Sequence, residues 1–135
     1  MGRYLLDANA FLDFKEIPET IRTEARQAIE DPANTLYVSL AAIWELSIKA
    51  AKGKLPGFAR LLAGGEDALR ASLQESNFIV LPIELEHVLA ASRFPRPHGD
   101  PFDRIVIAQA IVEDLILISS DGAFGRYRGL RLLRS

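Results

Sequence analysis

Short apolar runs separated by segments of helical periodicity restrict the fold more than any other feature of this sequence. They are Tyr4-Leu5-Leu6, Leu36-Tyr37-Val38, Phe78-Ile79-Val80-Leu81 and Leu115-Ile116-Leu117-Ile118, with a further short run from Leu130 to Leu133. Runs of this length bounded by turn residues read as buried strands. Helical segments fall between them. A short helix follows Asp7, and Ile21, Ala25, Ala28 and Ile29 give Glu19 to Glu30 helical spacing, stopped by Asp31-Pro32. Ser39 offers an N-cap for a helix from Leu40 to Lys52 that Gly53 closes. Phe58 to Gln74 reads as one or two helices broken at Gly64-Gly65, and Glu84 to Arg93 as another. Pro95, Pro97 and Gly99 mark a loop, and Asp100-Pro101 opens a helix to about Asp114. Asp121-Gly122 reads as a turn. Strands alternating with helices predict an α/β fold, a three-layer α/β/α sandwich around a parallel sheet of four to five strands. Right-handed crossovers then bring all strand carboxyl ends to one edge, where open α/β sheets bind ligands.

The chain of 135 residues suits a single domain over 1–135. Its 49% hydrophobic and 25% charged content is ordinary for a globular protein and excludes a disordered chain. With no cysteine there are neither disulfides nor thiolate metal sites, which suits a cytoplasmic location. No apolar run approaches the ~20 residues of a membrane helix, so no membrane association is expected. A net charge of −2 argues against a generally basic nucleic-acid binder. The stretch Arg126 to Arg134 is nevertheless basic, and beside an acidic pocket it would suit a phosphate backbone.

The carboxylates carry the functional signal. Asp7 stands at the carboxyl end of the first strand, where it also suits an N-cap. Glu45 comes less than two turns after the second strand and forms an i,i+4 pair with Lys49. In Asp100-Pro101-Phe102-Asp103, Asp100 fits the N-cap, Pro101 the first helical position and Asp103 the third. Asp121 directly follows the fourth strand. Each has a local explanation as a cap, a surface pair or a turn. Jointly they fall on one sheet edge, where they would repel one another without a cation between them. Oxygen-only donors select Mg²⁺ or Mn²⁺. Such an ion can polarise a phosphodiester and activate water, and no Ser, Cys or His looks like an activated nucleophile. His87 reads as an ordinary helix residue and His98 as a loop residue.

The pattern resembles the PIN-domain ribonucleases, in particular the VapC-like toxins of type II toxin–antitoxin pairs. The resemblance rests on Leu5-Leu6-Asp7-Ala8-Asn9, on Ser39 to Lys49 with Trp44-Glu45, and on Gly53-Lys54-Leu55. It continues through Asp100-Pro101-Phe102-Asp103-Arg104, Ile107-Ala108-Gln109-Ala110, and Ser120-Asp121 with Phe124 and Tyr127. It implies a Mg²⁺- or Mn²⁺-dependent endoribonuclease whose metal-binding acids are Asp7, Glu45, Asp103 and Asp121. Asn9, Ser39 and Ser120 are implied as residues orienting those acids. Asp100 and Asp103 both stand open as the third acid, with Asp103 favoured because it would face the edge while Asp100 caps. An RNA substrate, a small antitoxin partner and a homodimer are implied as well. A receiver domain would need a second acid beside Asp7, where Ala8 stands, and a dehalogenase-like phosphatase an Asp at Asn9. A non-catalytic PIN-fold binding module is the remaining alternative.

Overall fold

The structure, a computed structural model, describes residues 1–95 and 99–135. The parallel sheet comprises β1 (Arg3–Leu6), β2 (Thr35–Ser39), β3 (Phe78–Leu81), β4 (Ile116–Ser119) and β5 (Arg131–Arg134), in the order β3-β2-β1-β4-β5. The expected α/β/α sandwich is present, with the fifth strand formed. Side chains of a strand alternate between faces, and here the alternation separates two cores. Leu6, Leu36, Val38, Phe78 and Ile118 point to one face, Leu5 and Leu117 to the other.

The first core is covered by α1 (Ala8–Glu16), α2 (Thr23–Glu30), α3 (Leu40–Ala51), α4 (Pro56–Ala63) and α5 (Gly65–Glu75). Phe11 and Phe78 meet edge to face there, with ring centroids 5.2 Å apart. The second is covered by α7 (Pro101–Val112), on which α6 (Leu85–Ser92) packs, and by a 3-10 helix at Gly122–Arg126 that contributes Phe124. The chain steps outward from β1 through β2 to β3, then returns to the other side of β1 for β4. This reversal moves the connecting helices to the opposite face, as right-handed crossovers require. It also leaves a topological switch point between β1 and β4.

Local departures from the sequence reading have local causes. The segment Glu19 to Glu30 is not one helix: Pro18–Thr20 is a 3-10 turn and α2 begins at Thr23. Ile21 between them is extended (φ −78°, ψ 139°), which lets it bury in the first core. Phe58 to Gln74 divides into α4 and α5, where Gly65 takes φ +83°, a conformation that favours glycine. The fourth strand starts one residue later than expected, because Asp114 closes α7 at φ +55° before the buried Leu115. Asp121-Gly122 opens the 3-10 helix instead of a simple turn. Among the described residues, no helix is long and apolar enough to cross a membrane.

Candidate active site

The sheet register places a polar row at the carboxyl edge. Leu6 pairs with Val38 and Ile118, so the next residue of each strand forms the following row: Ser39, Asp7 and Ser119. Ser119 is in turn paired with Arg134 of β5. The Asp7 N–H still donates to the Ile118 carbonyl at 3.3 Å, which ties Asp7 to the end of the ladder. The β1–β4 switch point is thus occupied by an acid and a hydroxyl.

Asp7 is buried, with 8% of its surface exposed. Its side chain caps α1, with Oδ1 accepting from Ala10 N–H at 2.9 Å. Ser119, fully buried, hydrogen-bonds to the same carboxylate, and its Oγ accepts from the Asp121 N–H at 3.1 Å. One hydroxyl therefore joins Asp7 to the start of the next acidic segment. Burial raises the Asp7 carboxyl above its ordinary range. The Ser119 and Ala10 hydrogen bonds pull the other way, and the charges of Glu45 and Asp121 add to the rise. Three acids thus share one electrostatic neighbourhood.

Glu45 lies on α3, which Ser39 caps by accepting from Ala41 N–H at 3.0 Å. Its Oε2 is 3.2 Å from Lys49 Nζ, and the carboxylate side chain is the less exposed partner, 17% against 39%. The i,i+4 pair exists, on a residue whose charge also acts on Asp7. Asp103 is half-buried in the first turn of α7. Asp100 is exposed and acts as the cap, its Oδ1 accepting from Phe102 N–H at 2.8 Å and Asp103 N–H at 3.4 Å. Asp103 and Asp121 both act on the phenol of Tyr127, which burial raises above its ordinary value and Arg104 lowers. Asp121 caps the 3-10 helix through Ala123 N–H at 2.9 Å. The charges of Glu45 and Asp121 thus act on Asp7, and those of Asp103 and Asp121 on Tyr127.

The accessory residues expected from the sequence are placed differently. Asn9 is exposed on the first turn of α1. Ser120 is exposed, and Ser119 holds Asp7 in its place; alternation along β4 turns Ser119, not Ser120, inward. Ser39 donates to Gln109 Oε1 at 2.5 Å. Gln109 is fully buried on α7, and its Nε2 donates to the carbonyls of Pro82 at 3.1 Å and Leu81 at 3.4 Å. This amide clips α7 to the ends of β2 and β3. Its signal in the sequence was a lone amide in an apolar helix segment. His87 is more than an ordinary helix residue. It is fully buried, with Nδ1 accepting from Glu84 N–H at 2.9 Å and Nε2 2.8 Å from Glu113 Oε2, so it caps α6 and joins it to the end of α7. Pro97 and His98 lie outside the described residues.

Among the described residues, no group of three or more His, Asp or Glu side chains is gathered as a ready metal site. The donor set nonetheless fits a hard cation. It is all oxygen, and Asp7 is an acid that a cation would relieve of both burial and like-charge repulsion. The edge also carries basic groups. A Cβ on Gly122 would meet Arg134 Nη1 at 2.6 Å, so the Arg134 guanidinium lies directly over the residue after Asp121.

Comparison with known proteins gives one family and a consistent set of folds. The PIN domain model matches residues 4–130. The chain is similar to one in the crystal structure of VapBC2 from Rickettsia felis bound to a DNA fragment from their promoter, with 16% identity and a TM-score of 0.73 over 98% of each chain. It is also similar to a chain of DNA-bound VapBC from Salmonella typhimurium, at 22% identity and a TM-score of 0.66 over 99% of this chain and 98% of that one. For VapBC-1 from nontypeable Haemophilus influenzae the values are 22% and 0.69, over 98% and 97%. No curated protein matches the chain.

Proposed function

Because the chain belongs to the PIN-domain family, we propose that it is a divalent-metal-dependent endoribonuclease, the toxin of a toxin–antitoxin pair acting in the cytoplasm. Membership of the family supports a nuclease as the kind of activity. The observation that carries the finer reading is the buried Asp7 carboxylate at the β1–β4 switch point, tied through Ser119 to the segment that carries Asp121 and within reach of the charge of Glu45. Asp7, Glu45, Asp103 and Asp121 would hold Mg²⁺ or Mn²⁺. Such an ion supplies Lewis-acid polarisation of a phosphodiester and lowers the pKa of water.

The chain's own residues set the conditions. Ser119 fixes the Asp7 carboxylate, the Ser39–Gln109 pair fixes the start of α3, and Lys49 balances Glu45. Arg134 over Gly122, with exposed Arg126 and Arg128 on the same stretch, supports binding of an RNA backbone beside the acids. An antitoxin is the proposed protein partner. It is supported by the VapBC complexes among the structural neighbours and by an apolar cavity of about 210 Å³ between α1 and α4, lined by Phe11, Leu12, Phe58 and Leu61. A homodimer is supported by the exposed apolar face of α6, where Leu85, Val88 and Leu89 are 88%, 50% and 53% exposed.

A non-catalytic PIN-fold binding module is the second reading, favoured by the Lys49 pairing of Glu45 and by the lack of a gathered metal site among the described residues. Expression in cells separates the two. Wild type is expected to arrest growth and to create new RNA 5′ ends that Glu45→Gln and Asp121→Asn abolish. New ends that persist in both variants, or none with wild type, would favour the binding module.

A further inference from the structure

Arg104 stands next to a proposed metal-site acid, but its side chain turns away to the end of α6. One amine donates to the carbonyls of Ala91 at 2.8 Å and Phe94 at 3.2 Å, and the other to Pro95 at 3.4 Å. These carbonyls lie at or just past the C-terminus of α6, where carbonyls lack intrahelical partners and a positive charge is favourable. The guanidinium also lies 6.0 Å from the Phe94 ring centroid. Phe94 meets Tyr127 edge to face, with centroids 5.1 Å apart. Tyr127 ends the 3-10 helix that Asp121 begins, and it is buried in the second core with Phe124. A continuous set of contacts therefore runs from the first turn of α7, which carries Asp103, to the segment that carries Asp121.

We propose that Arg104 is a positioning residue: it clamps the end of α6 to the first turn of α7 and, through Phe94 and Tyr127, sets Asp103 and Asp121 relative to each other. This deepens the metal-dependent reading above and rests on it. A planar fork reaches three carbonyls and lies near an aromatic face in a way an ammonium cannot. Lysine is therefore a charge-conserving replacement that breaks the clamp. Charge alone predicts the opposite sign for glutamine, because removing a cation beside an acidic site strengthens cation binding.

The test is calorimetric titration of metal-free protein with Mn²⁺, without RNA, on wild type, Arg104→Lys, Arg104→Gln and the control Arg93→Lys at the exposed end of α6. Amide exchange is followed on the same samples. The clamp is expected to show as roughly 10-fold or greater loss of Mn²⁺ affinity in both Arg104 variants, within the range typical of residues that orient metal ligands. β1 and β4 amides should stay protected, and Arg93→Lys should match wild type. Arg104 variants that bind as wild type, or Arg104→Gln binding more tightly, would overturn the clamp. If wild type itself binds no Mn²⁺, the metal reading fails and exchange decides the clamp. Faster exchange confined to residues 102–104 and 122–127 in Arg104→Lys supports it; unchanged exchange there overturns it.

Discussion

The Gln109 amide is the most informative structural perturbation, because one side chain joins three elements that frame the acids. Gln109→Met keeps the volume approximately constant and removes the bonds to Ser39, Pro82 and Leu81. The Ser39 hydroxyl continues to accept from Ala41 N–H but loses the acceptor for its own proton. The Pro82 carbonyl loses this amide donor. Each polar group orphaned inside a protein costs about 1–3 kcal/mol, partly offset because the amide itself no longer needs desolvating. The expected net loss is about 2–4 kcal/mol, a large share of the ~5–15 kcal/mol that stabilises a typical domain. At about 3–4 °C per kcal/mol for a chain of this size, Tm should fall by about 6–16 °C. Urea unfolding followed by circular dichroism measures the free-energy loss, and thermal unfolding the fall in Tm. Adding Ser39→Ala removes the orphaned hydroxyl, so the double variant should lose at least about 1 kcal/mol less than the sum of the single losses. A single-variant loss below about 0.5 kcal/mol, or strict additivity, would refute the clip.

Asp7→Asn should abolish cleavage while stabilising the metal-free fold at neutral pH, since Asn caps a helix about as well as Asp and the buried charge is removed; a lower Tm than wild type would contradict this. The pH dependence has a definite sign. The folded carboxyl is raised above its unfolded value, so the folded state holds the proton more tightly. Stability from this group therefore declines as pH rises from the ordinary carboxyl range through the raised folded value. Comparing metal-free wild type with Asp7→Asn across that range isolates it, and parallel profiles would argue against a buried, raised acid. Ser119→Ala should push the Asp7 carboxyl further up and weaken Mn²⁺ binding about 10-fold, whereas Ser120→Ala should bind as wild type; equal effects would remove Ser119 from the site.

The legible parts of the chain were those where one physical signal dominated. Apolar runs marked four strands and a possible fifth, and placed Asp7 at the end of the first, because runs as short as Leu5-Leu6 between turn residues read as buried strands. Asp100 as the cap of α7 followed from its position before Pro101. The misplaced residues were those decided by register or by tertiary partners. Ser119 and Ser120 are adjacent and chemically identical, and only pairing of β4 with β1 shows which one meets Asp7. The partner of Ser39, the buried Gln109, lies 70 residues away in sequence, so no local spacing reveals the pair. His87 appeared unremarkable because its partner Glu113 belongs to another helix. Ile21 broke an otherwise helical pattern because burying one side chain in the core outweighed local propensity.

The most direct measurement is cleavage of RNA by purified, partner-free protein with Mg²⁺ or Mn²⁺ against EDTA, alongside Asp103→Asn. Cleavage that requires the metal and disappears in a folded Asp103→Asn variant is the expected result. Cleavage that survives EDTA or the variant, or its absence from well-folded wild type with either metal, would contradict a metal-dependent ribonuclease built on these four carboxylates.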